Sequence, residues 1–327
     1  MPRWIVERGI GETRAALVDG DTILEACIEP DDGLRAGTVL AARLVKRLPQ
    51  RNEGIVAWDG GEAMLAPLPR ALPEGGTLLV EITRPSLPEP GKPKRARARP
   101  AADGAVPGNG PDLLARLPDA TLLGRFHADL LEAVGWSMLL EEAVTGQVTF
   151  AQGALTLSLT PAMTLIDVDG ELAPATLAVA GAAAAARAVR RLDMGGSIGI
   201  DLPDAGDKGA RQAAAAAIDA ALPQPFERTA VNGFGFVQIV RRRARVSIPE
   251  LYAHDPVAAH ARALLRRAER TGGAGERTLT AHPALVAWLA DRPGWLAELE
   301  QRVGAPVALR AEPGLAISAG HVQARFP

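Results

Sequence analysis

The fold of this chain is constrained most by two apolar segments. Each carries an aspartate near its end, and one alanine-rich stretch separates them. The segments are LIDVD at 165–169 and IGIDL at 198–202. The stretch between them has helical composition and carries its arginines at its end, as the helix dipole favours. A strand–helix–strand unit of this kind predicts two parallel strands joined by a right-handed crossover. If these strands are neighbours, about 4.8 Å apart, Asp167 and Asp201 lie side by side at the carboxyl edge of the sheet.

The whole chain divides into four predicted segments. Short apolar runs with a hairpin turn at Asp19-Gly20 predict strands over 1–84, the later ones forming a small antiparallel barrel of the OB type. A basic Pro/Gly-rich linker follows at 85–111. The segment 112–250 begins with a helical spacing of leucines and continues as a β-α-β-α-β core with a parallel sheet. Helices and strands alternate over 251–327, so the predicted fold class is multidomain, α/β and α+β, with a small C-terminal α+β domain.

Composition excludes several classes of protein. The chain has 327 residues, with 36 Lys and Arg against 38 Asp and Glu, and the net charge of -2 excludes a uniformly basic nucleic-acid binder. Its single cysteine, Cys27, excludes a disulfide framework and a multi-cysteine zinc site, and is expected to be buried in a strand. The five histidines are scattered, so no histidine-based triad and no zinc are predicted. No apolar run could span a membrane and no secretory signal is recognised, which predicts a cytoplasmic protein without a membrane partner.

The two strand-end aspartates suggest a metal site. Two carboxylates so close repel each other unless one is protonated or a cation lies between them. Mg²⁺ suits such a pair because it takes oxygen ligands and usually keeps waters and substrate phosphates in its other positions. Asp167 and Asp201 are therefore candidate catalytic and metal-binding residues, with Mg²⁺, or Mn²⁺ in its place, as the cofactor. Asp169 and Asp204 follow closely and are candidates for holding metal-bound water or positioning a leaving group. Two other interpretations stay open: aspartates that form turns or cap helices, and a metal-free acid–base pair.

Basic and aromatic residues are grouped in two places. The predicted barrel and linker carry one exposed set, and the strand that begins near Phe234 continues into four arginines within five positions. The candidate RNA-binding residues are Arg43, Lys46, Trp58, Arg84, Lys92, Lys94, Arg241 and Arg243. Each group also has an alternative interpretation without RNA. The linker charges are equally typical of a solvated spacer. Phe234 and Phe236 are equally typical of residues in a plain hydrophobic core.

The order and the amino-acid sequences of these segments resemble the ribonuclease E/G family of bacterial endoribonucleases. GETRAALVDGDTILEACIE resembles the family's opening hairpin, and GTVLAARLVKRLPQRNEGIVAWDGGEAMLAPLP resembles its OB-fold RNA-binding barrel. ALTLSLTPAMTLIDVDG and LAVAGAAAAARAVRRLDMGGSIGIDLPD resemble its two catalytic strands with the helix between them. VNGFGFVQIVRRRARVSIPEL resembles the segment that closes the catalytic subdomain, and ARALLRRAERTGGAGERTLTAHPALVAWL the C-terminal small domain. The similarity is collinear over most of the chain.

The resemblance implies a Mg²⁺-dependent endoribonuclease that cleaves single-stranded RNA. Asp167 and Asp201 stand at the positions of the family's two Mg²⁺-binding aspartates. Asp169 stands where the family usually has Asn, and Pro161 where it usually has Glu. The family's insertion that binds a 5′-monophosphate end has no counterpart here, so 5′-end sensing is not expected.

The sequence also departs from the family at positions that bind RNA and at positions that link subunits. The family's base-stacking aromatics correspond to Val56 and Met64, with Trp58 as a substitute. Its paired-cysteine zinc link is absent, so a homodimer is left open without that link. These departures favour a rival hypothesis, a non-catalytic RNA-binding protein of the same fold acting in rRNA or mRNA metabolism. A plain α/β scaffold with no RNA role is the third alternative.

Overall fold

The chain begins with an antiparallel meander of three strands. In this computed structural model, which describes residues 1–88, 93–117, 119–124, 127–204 and 206–326, these strands are β1 (Arg3–Arg8), β2 (Glu12–Asp19) and β3 (Thr22–Pro30). The predicted hairpin turn joins β2 to β3, with Gly20 in the left-handed region at φ 61°. Cys27 lies on β3 and is buried, as predicted.

A closed five-stranded barrel follows the meander. Its strands are β4 (Val39–Leu48), β5 (Glu53–Trp58), β6 (Gly61–Leu65), β7 (Thr77–Arg84) and β8 (Ala96–Pro100), arranged in the order β4-β5-β6-β8-β7. Alternation positions the barrel side chains, since Ala42 and Leu44 of β4 are buried inside while Arg43 is exposed outside.

The predicted linker at 85–111 is wrong over part of its length. Residues 96–100 form β8, which closes the barrel by pairing in parallel with β6 and antiparallel with β7. Ala96 and Ala98 point into the barrel, and Arg97 and Arg99 are exposed. The period of two is therefore present, but alanine gives it so little hydrophobic contrast that the stretch has the composition of a basic linker.

The chain then returns to the first sheet before it enters the core. Strand β9 (Thr121–Leu123) pairs in parallel with β1, and two helices follow, α1 (Leu130–Ala133) and α2 (Trp136–Thr145). The helical structure that the leucine spacing predicts at the start of the segment 112–250 is only partly right. Residues 113–116 form turns, and Leu113 is buried against Cys27 and its neighbours. The leucines there are spaced as in a helix, but the segment forms turns that bury Leu113.

The central unit is a six-stranded mixed sheet with two helices on one face. Its elements are β10 (Gln147–Phe150), β11 (Gly153–Leu159), β12 (Thr164–Gly170), α3 (Pro174–Arg191), β13 (Gly196–Asp201), α4 (Lys208–Ala221), β14 (Phe226–Arg228) and β15 (Phe236–Arg241). The strand order is β10-β11-β12-β13-β15-β14. The alanine tract of α3 is buried against β12, so it is a packed crossover helix as predicted. A side chain larger than glycine at Gly181 would overlap Val168, which shows how closely helix and sheet approach.

The prediction of a parallel core sheet is correct for one strand pair only. β12 and β13 are parallel, whereas β15 runs antiparallel to β13. The cause is β14, a three-residue edge strand too short to be recognised in the sequence. The chain leaves α4, passes along the edge as β14, and returns as β15 between β14 and β13.

The helices and strands of the C-terminal unit agree with those that the sequence predicts from Pro256 onward, whereas the short helix before Pro256 is not among the predicted elements. The elements of this unit are α5 (Ile248–His254), α6 (Pro256–Arg270), β16 (Ala274–Ala281), α7 (Pro283–Ala290), α8 (Pro293–Val303), β17 (Val307–Ala311) and β18 (His321–Phe326). Its sheet has the order β17-β16-β18. Helix α6 also packs on the N-terminal sheet, where Arg266 forms a buried ion pair with Glu7 at 2.8 Å. Among the described residues, no helix combines the length and apolar character that crossing a membrane requires.

Candidate functional site

The two strand-end aspartates lie side by side on the open face of the central sheet. Asp167 of β12 and Asp201 of β13 are direct partners in the parallel register, and both side chains are exposed. Adjacent strands lie about 4.8 Å apart. Ile166, Val168 and Ile200 alternate with them and are buried under the helices, so the period of two fixes the aspartates on the free face. Their predicted juxtaposition is confirmed.

The two further candidate aspartates differ from each other. Asp169 lies on the same open face as Asp167, two residues further along β12, and is exposed. Asp204 lies in the segment after β13, where its Oδ1 accepts a hydrogen bond from the backbone N–H of Gly206 at 2.8 Å. That contact is typical of a turn-forming aspartate. Asp169 therefore extends the acidic group on the sheet, whereas Asp204 stabilises its own loop.

The carboxylates of Asp167 and Asp201 fit a Mg²⁺ ion that is bound partly by the protein and partly by a substrate phosphate. Within the residues that the structure describes, no three His, Cys, Asp or Glu side chains are close enough to hold a metal ion together. A cage made only of protein ligands is therefore not formed at Asp167 and Asp201. Two exposed carboxylates on neighbouring strands nevertheless match the usual Mg²⁺ pattern of one or two carboxylates, with waters and substrate phosphates completing the shell.

An apolar floor extends from the aspartates along the same face. Phe236 is the antiparallel partner of Asp201, and a Cβ added to Gly199 would lie 2.5 Å from the Phe236 ring and 3.0 Å from Leu165. The ring therefore lies over Gly199, between β15 and β12. Because both α3 and α4 pack on the other side of the sheet, this floor is open to a ligand.

A basic cleft of about 650 Å³ lies between the barrel and the other end of the same strands. Arg84 and Lys94 line it from the barrel side, and Arg243 lines it from the core. Arg84 donates a hydrogen bond to the backbone oxygen of Arg95 at 2.6 Å, and Arg243 forms an ion pair with Glu250 at 2.6 Å. The structure thus brings three of the predicted RNA-binding residues together from segments more than a hundred residues apart.

The cleft and the aspartates are separated by a short length of one strand. Ser197 lines the cleft, and Asp201 lies four residues further along β13 on the same face. At about 3.3 Å per residue, this separation is roughly 13 Å. Pro161, the position where the resembled family usually has Glu, lines the cleft rather than the aspartate pair. A ligand that fills the cleft can therefore reach Asp201 only by crossing the apolar floor.

The other predicted RNA-binding residues of the barrel are dispersed. Arg43 is exposed and donates to the backbone oxygen of Gly75 at 3.1 Å, and Lys46 is exposed on the same strand after a bulge. Trp58 is half-buried and lines a separate cavity of about 700 Å³, which Lys94 also lines. Val56 is wholly buried in the barrel, so it is not a surface position where a base could stack.

Two predicted residues remain. Arg241 donates to the backbone oxygen of Met194 at 3.2 Å and lines a smaller cavity of about 220 Å³ at the edge of the core. Lys92 lies outside the described residues. Arg241 is not among the residues that line the cleft.

Phe234 is a surface feature that the sequence interpretation missed. The plain-core alternative is wrong for Phe234, which is 87% exposed, whereas Phe236 is half-buried on the sheet. The available signal was its position between two glycines in Asn232-Gly233-Phe234-Gly235. That composition is typical of a loop tip rather than of a strand.

These features define a mixed α/β protein with a closed barrel, a basic cleft and a pair of carboxylates on one open sheet face. Comparison of the sequence with protein-family models and with curated proteins finds no match. The function is therefore inferred from the geometry of the cleft, the floor and the aspartate pair.

Proposed function

We propose that this chain is a Mg²⁺-dependent endoribonuclease that cleaves single-stranded RNA. The observation that carries the proposal is the parallel register that aligns Asp167 with Asp201 on an exposed sheet face. Asp167 and Asp201 would hold the ion. When bound, Mg²⁺ supplies an activated water and stabilises charge on the scissile phosphate, which gives 5′-phosphate and 3′-hydroxyl ends.

The chain's own residues would bind and direct the RNA strand. Arg84, Lys94 and Arg243 place positive charge in the cleft, where phosphates of a single strand release counterions on binding. The floor formed by Phe236 and Leu165 offers apolar contacts to bases on the way to the aspartates. An OB-type role for the barrel, with Trp58 in its own cavity, belongs to the same proposal.

The catalytic assignment is tested by neutralising the pair. In the variant D167N/D201N, cleavage of a fluorescent single-stranded oligonucleotide in Mg²⁺ should be abolished. RNA binding should be unchanged or tighter, because two charges that repel phosphate are gone. Glu227→Gln is the matched control, since Glu227 is exposed on β14 and pairs with Val240 on the same open face. Undiminished cleavage by the double variant would reject the assignment.

The role of the cleft is tested by the salt dependence of binding. Arg84→Ala and Lys94→Ala should each weaken binding and reduce the slope of log K against log salt by about 0.7. Arg310→Ala removes an exposed charge from β17, in the C-terminal sheet, and serves as the control. A slope unchanged in both cleft variants would show that the strand does not pass through the cleft.

One observation favours the second candidate, a non-catalytic RNA-binding protein. In the described part of the chain, Asp167 and Asp201 gain no third metal ligand from the protein. RNA binding that never becomes metal-dependent cleavage, compared in Mg²⁺ and in EDTA, would support this candidate over the nuclease.

A further inference from the structure

Among the residues that the structure describes, Phe234 has the most exposed large apolar side chain after Met1. It lies at the tip of the loop between β14 and β15 and is 87% exposed. An aromatic side chain in this position costs hydration free energy unless something covers it. Its glycine neighbours on both sides leave the two faces of the ring open.

The loop that carries Phe234 is held in one conformation. The Oδ1 of Asn232 accepts hydrogen bonds from the backbone N–H groups of Phe234, at 2.9 Å, and Phe236, at 3.0 Å. Gly235 adopts φ 86°, and any Cβ there would overlap the backbone oxygen of Leu202. The ring is thus presented by a turn that is packed against the core, which lowers the ordering cost of binding.

That turn lies directly beside the aspartate pair. Leu202, the residue after Asp201, donates its backbone N–H to the oxygen of Gly235 at 3.3 Å. Phe236, two residues after Phe234, is the Cα partner of Asp201. Paired residues in antiparallel strands lie about 4.5–5.5 Å apart, so Phe234 is separated from Asp201 by one strand spacing and two residues along the chain.

The surroundings favour a flat ligand over a protein surface. The other exposed apolar residues of this sheet face, Leu165 and Val240, lie towards the cleft, so Phe234 is an isolated ring rather than part of a patch. Protein hot spots are central and surrounded by contacts that exclude water. A nucleobase needs only one free aromatic face.

We propose that Phe234 forms a base-stacking subsite for the unpaired nucleotide next to the scissile phosphate, which Asp167 and Asp201 would bind through Mg²⁺. This inference rests on the proposed RNA substrate and adds the reason for its single-strandedness: a base paired in a duplex cannot expose its face to this ring. The subsite accepts any base, because every base has a π-face.

The test measures binding without cleavage. In the D167N/D201N background with EDTA, the affinity for a labelled single-stranded oligonucleotide is compared before and after Phe234→Ala. Binding should weaken about 5- to 150-fold, the equivalent of 1–3 kcal/mol of stacking at 1.4 kcal/mol per tenfold. Phe234→Trp should retain the affinity. Phe326→Ala, which removes a ring 59% exposed on β18, is the matched control and should change nothing.

An abasic scan locates the subsite. A single abasic nucleotide is moved along the oligonucleotide, and at one position the loss should be the same size as that caused by Phe234→Ala and should not add to it. Full additivity at every position, or an unchanged affinity of Phe234→Ala, would overturn the subsite while leaving the RNA substrate in place. Absence of RNA binding by the unmodified chain would overturn both proposals.

Discussion

Glu7 is the residue whose replacement should destabilise this protein most clearly. The residue is 4% exposed, and its carboxylate contacts three guanidinium groups. Oε1 lies 2.9 Å from Arg14 and 2.8 Å from Arg266, and Oε2 lies 2.6 Å from Arg270. Since Glu7 and Arg14 belong to the first sheet and the other two to α6, the cluster ties the start of the chain to the C-terminal unit. Glu7→Gln keeps the shape of the side chain and removes the charge.

The expected loss of unfolding free energy depends on which acidic partners each arginine keeps when the charge of Glu7 is removed. Breaking a buried ion pair costs about 3–5 kcal/mol, because it leaves an uncompensated buried charge. Arg14 keeps Glu12 at 2.7 Å, and Arg266 keeps Asp129 at 2.6 Å. The loss should therefore lie at the low end, about 3 kcal/mol. At about 2.1 cal/mol/K of unfolding entropy per residue, a chain of 327 residues shifts by about 1.5 °C per kcal/mol, so the fall in Tm should be roughly 4–5 °C.

Urea unfolding followed by circular dichroism at pH 7 measures this loss. Glu81→Gln is the control, because Glu81 forms an exposed bidentate ion pair with Arg99 at 2.8–3.0 Å. Exposed pairs contribute about 0–1 kcal/mol. If Glu7→Gln loses no more free energy of unfolding than Glu81→Gln, the cluster does not stabilise the fold as reasoned here.

The same carboxylate should make stability depend on acid. Burial alone raises the pKa of Glu7, but Arg14, Arg266 and Arg270 together outweigh it and lower the pKa below its usual value. The folded state therefore binds this proton more weakly than the unfolded state does. The stabilisation is complete above the ordinary Glu pKa of about 4.3 and is lost as the pH falls through the lower folded value. The difference in unfolding free energy between wild type and Glu7→Gln should shrink accordingly at low pH.

Three further predictions rest on other buried positions. Burial raises the pKa of the Cys27 thiol to about 12, so Ellman's reagent should find no reactive thiol at pH 8 until guanidinium unfolds the chain. Burial, aided by Arg267, lowers the pKa of His260 to about 4, so stability should fall as pH drops from about 6.5 towards 4; urea midpoints at pH 7 and 5 should show less of this fall in His260→Gln. Gly11→Ala should cost about 2–4 kcal/mol of unfolding free energy, because Gly11 has φ 75° and a Cβ there would overlap Trp295. Gly20→Ala, with φ 61° and no atom near its Cβ, should cost less in the same measurement.

Local rules explain why the aspartate pair could be predicted. LIDVD and IGIDL each carry their own alternation, and the alanine-rich stretch between them is long enough for a crossover helix. The handedness of such a unit is nearly invariant, and strands that follow each other in the chain are usually neighbours in the sheet. Asp167 and Asp201 were therefore placed side by side without knowledge of any distant contact, and the register agrees. The hairpin at Gly20 and the burial of Cys27 followed in the same way.

Other features depend on residues that are far apart in the chain. The cleft exists only because β8 closes the barrel and brings Lys94 near Arg243, and β8 alternates Ala with Arg, a pattern with almost no hydrophobic contrast. The direction of β15 depends on the three-residue β14, which is too short to leave a signal. Glu7 and Arg266 are 259 positions apart.

Phe234 shows most clearly the difference between what the sequence determines and what the tertiary structure determines. Its sequence neighbours VQIV form a strand, and an aromatic residue before such a run is typical of a core. Whether the ring is covered depends on the elements that pack around it, and here the loop is fixed against Leu202 with the ring left outside. The sequence by itself determined which residues alternate and which segments cross over, because those are properties of neighbouring residues. Only the tertiary structure decided what is buried, what is exposed and which charges meet, because burial and charge pairing are set by segments brought together in space.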